Sequence, residues 1–380
     1  MANILTNLIP NLYEGLDVVS RELVGFIPSV QRNSRVERAA LGQEVLVPVS
    51  VAGTPQNVVP GMTVPEPDDF QTDTVAVKIT NSESVSFGLT GEEYRGLDNG
   101  VGVNTVLQGN IEQAIRVLCN KIEASIGSEA AKGASRAFGT AGTTPFASDL
   151  SDAAQIRKIL DDNGAPASGR SLIIDTTAGV NLRKLTQLTN VGNAGTTMTL
   201  RQGELLPLFG LSVKESAAIS TVDAGSASGV TLEASKKGAK ELKLKAATSG
   251  SLKAGDYITI AGDSNKYLIA EDATLSAGGK IKIAAPGLLM DAADGSAVTV
   301  VGDSARNIAF SQNAIVLATR APALPGGDDA AVDSMMLTDP RSGLSFEIRV
   351  YKGYRKMRVE VACAWGVKTI KPEHVAALLG

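Results

Sequence analysis

Few residues in this chain are suited to chemistry. A single histidine, His374, stands in KPEHVAALLG, and two cysteines, Cys119 and Cys363, lie far apart with no CxxC spacing and no histidine companion. A nucleophilic triad would need His374 as its base, yet no GxSxG elbow offers it a serine. Disulfide frameworks and zinc sites need clustered ligands. The two cysteines therefore read as small buried apolar side chains in a reducing compartment.

Paired carboxylates could hold a divalent cation or exchange a proton. They occur as Asp68 and Asp69 in PEPDDF, Asp161 and Asp162 in ILDDNG, and Asp328 and Asp329 in PGGDDA. No second ligand set accompanies any of them, so each reads as a solvated loop or helix end. GxxxxGK[ST] loops, a GxGxxG after a strand, and HExxH or paired CxxC motifs are all missing. The expectation is a protein that is not an enzyme, with no catalytic, cofactor-binding or metal-ligating residue.

The chain must then be read through its elements. With 380 residues it exceeds one ordinary core, and 43 % hydrophobic and 20 % charged content is normal for a globular protein. Aromatics are only 4 % while glycine numbers 39, so its core is built from small aliphatic side chains. Net charge is −4 with both signs interspersed, which argues against tight direct binding of nucleic acid. The opening MANILTNLIPNLYEGL has no basic n-region, and no run approaches the ~18 apolar residues of a membrane span. A soluble, cytoplasmically made protein is expected.

Ile4, Leu5, Leu8, Leu12, Leu16, Val19 and Leu23 form one amphipathic face, kinked near Pro10. That helix suits either its own domain or a terminal arm laid on a neighbouring subunit. GQEVLVPVSVAG and TVAVKITNSESVSFGLT alternate like strands around a segment holding Pro55, Pro60, Pro65 and Pro67, which predicts a long protruding hairpin. Residues 104–138 predict a long helix, with Leu107, Ile111, Ala114, Ile115, Leu118, Ile122 and Ile126 on one stripe. Asn104 is its expected N-cap, and Gly127 and Gly133 weaken its second half. A short helix over 149–163 closed by Gly164, a strand over 168–175, a helix over TAGVNLRKL and a strand over 208–219 follow, giving an α+β or α/β core.

From about Val222 to Asp303 the texture changes. GVTLEA, KELKLKAA, GDYITIAG, NKYLIAED, KIKIAA and AVTVVGD are short strands between glycine turns. They predict a small β-barrel or sandwich inserted into a loop of the core, with a hairpin tip at Gly262, Asp263 and Asn265. Core texture resumes at Arg306, and strands over 344–351 and 355–365 meet at a KGY turn.

Three phrases, RNIAFSQNAIVLATRAPALP (306–325), GLSFEIRVYKGYRKMRVEVACAWGVKTIKPEHVAAL (343–378) and LGQEVLVPV (41–49), resemble the major capsid (coat) proteins of tailed bacteriophages. The likeness is to the short-tailed-phage coat type with a β-rich domain inserted in the capsid-shell fold. Asn307, Phe310, Ala314, Ile315, Leu317, Ala318, Thr319 and Arg320 match the family's late strand, and Gly366, Val367, Pro372 and Glu373 its ending. With element order, the resemblance spans nearly the whole chain.

The resemblance implies an α+β fold with an N-terminal arm over 1–41, an extended hairpin loop over 42–90, and a peripheral domain with its spine helix over 91–144. An axial domain over 145–221 and 305–325, an inserted β-rich domain over 222–304, and peripheral C-terminal strands over 326–380 complete it. It also implies pentamers and hexamers of an icosahedral shell in the virion, assembled in the host cytoplasm with a scaffolding protein and a portal protein. Packaged double-stranded DNA would be enclosed without sequence-specific binding. No Lys–Asn isopeptide cross-link is expected. Rival readings are a cellular nanocompartment shell of the same fold, a hydrolase with a β-rich accessory domain, and a decoration or tail protein.

Overall fold

A 30-residue helix, Val103–Lys132, runs through the computed structural model of the protein. All seven residues of the expected stripe, from Leu107 to Ile126, are buried. The helix begins before Asn104, which therefore lies in its first turn and not at its N-cap. It ends at Lys132, short of the expected 138, and residues Arg136–Phe138 form a strand instead. Gly127 does not break it. An interior glycine costs about 1 kcal/mol, whereas burying Ile122 and Ile126 contributes about 1.5–3 kcal/mol each. Phe26 also lies over the position, with its ring 3.3 Å from where a β-carbon would stand.

The structure describes residues 25–50, 57–58, 60, 62, 72–98, 103–190, 195–246, 249–276, 278–326, 329–338 and 343–380. The helix expected over residues 4–23 and most of the proline-rich segment lie outside them. The chain is mixed α+β and mostly sheet. Its strands before the long helix are β1 (Gln31–Ala39), β2 (Glu44–Ser50), β3 (Thr72–Lys78) and β4 (Asn81–Thr90). After it come β5 (Arg136–Phe138), β6 (Arg170–Ile174), β7 (Ser212–Glu215) and β8 (Thr221–Val222). The next eight are β9 (Val230–Leu232), β10 (Glu241–Ala246), β11 (Ser251–Leu252), β12 (Tyr257–Ile260), β13 (Lys266–Leu268), β14 (Ala273–Thr274), β15 (Lys280–Lys282) and β16 (Ala297–Val300). The last six are β17 (Ser304–Ser311), β18 (Ile315–Pro322), β19 (Ala331–Thr338), β20 (Ser345–Gly353), β21 (Lys356–Thr369) and β22 (Val375–Leu379).

One sheet has the order β1-β18-β21-β20-β19, with β4 also paired to β21. The long helix lies against β21 and β4, and its stripe joins Phe346, Ile348, Val359, Val361, Cys363 and Trp365 in one core. β4 continues antiparallel along β21 from Trp365↔Asn81 to Lys356↔Thr90, so residues 81–90 belong to this sheet and not to the hairpin. The hairpin proper is β2 with β3, antiparallel and without a register shift from Glu44↔Lys78 to Ser50↔Thr72.

A second sheet has the order β15-β10-β9-β16-β12-β13-β5-β22-β17-β6-β7. β17 lies between β22 and β6, so the chain that leaves after β7 returns beside the strands it left. A helix over Ser151–Asp162 ends as its sequence predicts. Gly164 at φ +73° donates to Asp161 O and Ala165 to Leu160 O, a left-handed close that a glycine adopts without strain. Asp175 caps the helix Thr176–Lys184, accepting from the N–H groups of Thr177 and Ala178.

Strands β9 to β16 enclose a separate core that includes Leu232, Leu242, Ile258, Tyr267, Ile269, Ile281 and Val298. Ile269 and Ile283 form a bridge. Ala270 N–H donates to Lys282 O at 2.9 Å and Ala284 N–H to Leu268 O at 2.9 Å. The strand row from β15 to β13 thereby returns on itself. As expected, β12 and β13 are an antiparallel pair, with Gly262 at φ +89° after β12.

Candidate functional site

Among the described residues, the chemically competent side chains are not brought together. His374 ends a short 3₁₀ turn, Pro372–His374. Burial pushes its imidazole below the ordinary value, with Glu373 opposing, and no described nucleophile is hydrogen-bonded to it. Cys119 and Cys363 are both buried, and burial pushes the Cys363 thiol up to about 12. Among the described residues no three His, Cys, Asp or Glu side chains are grouped to hold a metal ion.

The acidic pairs have other duties. Asp161 accepts from Arg170 at 2.6 Å and from Arg157 at 3.3 Å, and the Arg170 hydrogen bond holds its carboxyl below the usual range. Asp162 stands 3.9 Å from the buried Arg136. Asp329 accepts from Tyr351 Oη at 2.7 Å and Arg349 at 2.6 Å. Asp68, Asp69 and Asp328 lie outside the described residues.

Buried charge is concentrated instead where elements are locked to one another. Glu123, on the long helix, accepts from Phe26 N at 2.7 Å, Ile27 N at 3.0 Å and Ser216 Oγ at 2.8 Å. Burial raises its pKa against the pull of those bonds. Glu347 on β20 receives a two-pronged guanidinium from Arg38 on β1, at 2.6 and 2.9 Å. Arg349 donates to Glu347 at 2.8 Å, so the chain of charges runs from β1 through β20 to Asp329 just before β19. Arg183 and Glu215 form a second two-pronged pair at 2.6 Å each. Such groups specify geometry; none is placed to attack or deprotonate a substrate.

Sequence reading missed these residues because charge within a strand or helix ordinarily marks its solvated face. One signal was present. In SFEIRV both parities of β20 carry residues that end up buried, Ser345 through Val350, so Glu347 and Arg349 sit between apolar neighbours on a strand covered on both faces.

What the fold does present is surface. At the hairpin's base Val47, Val77 and Ile79 are buried against Val316, Ala318 and Ala364. Leu46, by contrast, is 63 % exposed, and Val58 and Met62, between the two strands, are 98 % and 106 % exposed. A locked base with Leu46 uncovered on it and Val58 and Met62 uncovered beyond it is an arrangement for contact. No described helix is long and apolar enough to cross a membrane.

No protein-family model matches this sequence, and no curated protein matches it either. Solved structures do match in fold. The capsid structure of cyanophage P-SCSP1u aligns with 94 % of this chain and 88 % of its own, at 12 % identity and a TM-score of 0.50. A chain from Mycobacterium phage Che8 aligns over 90 % and 88 %, at 15 % identity and a TM-score of 0.46. A virus-like particle from Pyrococcus furiosus aligns over 98 % of both chains, at 11 % identity and a TM-score of 0.44. Across nearly its whole length, this chain has the phage capsid-shell fold.

Proposed function

We propose that the chain is the major capsid protein of a tailed bacteriophage, a structural protein whose copies form the pentamers and hexamers of an icosahedral shell. The observation that carries this reading is the β2–β3 hairpin on a capsid-shell fold, locked at its base and apolar at exposed Leu46, Val58 and Met62. Against another molecule those side chains would gain burial, and obligate interfaces commonly exceed ~2,000 Å². In this reading residues 1–41 are the arm and 42–80 the overlapping loop. Residues 145–221 and 305–325 meet their copies around the symmetry axes.

Residues 222–304 act as an inserted β-barrel domain. The bonds that join β13 to β15 and the separate core inside that ring support this assignment. A net charge of −4 suits a container that holds double-stranded DNA without gripping it. Assembly in the host cytoplasm with a scaffolding protein, around a portal protein, belongs to the same proposal.

Negative-stain microscopy with sedimentation velocity, after expression with and without the neighbouring genes, tests it. Closed shells of regular size are expected. A uniformly monomeric species under every condition would overturn the reading.

A further inference from the structure

A cavity of about 370 Å³ opens between the long helix, residues 218–222 and the loop at Ala254 and Gly255. Arg306, on β17, lines it and is 3 % exposed. None of the three guanidinium nitrogens makes a hydrogen bond of good geometry among the described residues, although the Tyr257 hydroxyl is close enough to interact with them. The face of the guanidinium is occupied, for it lies 4.5 Å over the ring of Tyr257. Stacking on an aromatic face leaves the in-plane N–H donors free to bond, and burying them unmade is costly. Ser304 Oγ, two positions along the same strand face, is likewise buried without a hydrogen bond among the described residues, and the Tyr257 hydroxyl has the guanidinium as its neighbour.

Among the described residues, the cavity's other polar residues are Lys132, Ser128 and Ser220, and no carboxylate lines it. The two acids whose charge reaches Arg306 are already engaged. Asp256 accepts from Lys253 N at 2.6 Å and Gly225 N at 3.1 Å. Asp303 accepts from Ala224 N at 2.7 Å. Gly127, Ala131, Ala218 and Gly255 keep the walls short, which gives room for roughly twelve water-sized volumes.

We infer that this cavity is a binding site for a small tetrahedral oxyanion of the phosphate class. Arg306 supplies the buried donors, Lys132 supplies charge at the exposed side, and the hydroxyls of Ser128 and Ser220 complete the cradle. Planar N–H donors matched to paired oxygens are the recognition mode that guanidinium performs best. The bound anion ties the long helix to β17 and to the chain that enters residues 222–304.

Calorimetric titration of the full chain with inorganic phosphate, and with sulfate, against chloride at matched ionic strength tests the site. Saturable binding in the millimolar range or tighter is expected, lost in Arg306→Met and weakened at least tenfold in Lys132→Glu. Near-ultraviolet circular dichroism reports whether Arg306→Met is folded; if it is not, Lys132→Glu at the exposed rim decides alone. No saturable binding of either anion by the wild-type chain up to about 10 mM, or unchanged affinity in Lys132→Glu, would overturn the assignment.

Discussion

The backbone carbonyl of Lys78 occupies the place where a β-carbon on Gly366 would have to stand. The atoms closest to that position, Lys78 O and C and Ile79 Cα, are all backbone, so no side-chain rotation can make room. Thr80 N donates to Trp365 O at 3.1 Å beside this crossing. Glycine is required there by proximity, and the base of the hairpin is fixed on β21 by it.

Gly366→Ala is therefore expected to pry the hairpin base from β21 at an overpacking cost of about 1–3 kcal/mol. Urea denaturation of the variant measures this directly. Stability equal to the wild type would show that the crossing relaxes freely.

Glu347 holds two guanidinium groups, and it and Arg349 are each 3 % exposed. Removing the carboxylate in Glu347→Ala takes one of two carboxylates from the buried Arg349, which keeps Asp329, and the ion pair from the half-exposed Arg38, at about 1–3 kcal/mol. The denaturation midpoint should fall accordingly, with Glu347→Gln losing less because the amide oxygen still accepts.

Glu123 has a pKa raised above its ordinary 4.5 by burial. In the interval above 4.5 the folded chain binds more protons than the unfolded one, so stability from this group is present at low pH and lost as pH rises. Glu123→Gln does not titrate. Its melting temperature should gain on the wild type as pH rises through that interval, and a constant difference across pH 4–8 would refute the account.

The Cys363 thiol, pushed up to about 12 and fully buried, should resist a thiol-specific reagent at pH 8 in the native chain and react once denaturant is added. Reaction counted by absorbance in the native state, at the rate of a free thiol, would contradict the burial.

The periodic elements were legible in the sequence. The stripe from Leu107 to Ile126, the β2–β3 pair, the turn at Gly164 and the strands on either side of Arg355 all announce themselves through local spacing and turn chemistry. What was hidden depends on contacts between distant positions. Residues 136–138 read as the tail of a helix, and they become a strand because β22 and β13 offer ladder partners on both sides. Glu123 and Arg306 carry no local sign of burial in the sequence, and only the fold closes over them. Residues 208–219 promised a long strand, but Leu208 and Leu211 bridge each other across a tight turn at Phe209 and Gly210, and the strand along β6 is Ser212–Glu215.

β5 has only three residues, with three paired to β22 and two to β13. It joins the β13 group, most of whose buried residues form one core, to the β22 group, into whose core Tyr257, Leu268 and Ala284 also pack. In a plate under load, strain collects at the narrowest cross-section. Arg136 reinforces that isthmus with bonds to Asn265, Asn163 and Ile159 O, one on the β13 side and two on the helix beneath. Any rocking of residues 230–300 against the rest of the molecule would shear the few ladder bonds of β5, the Arg136 bonds and the contact of Arg306 with Tyr257.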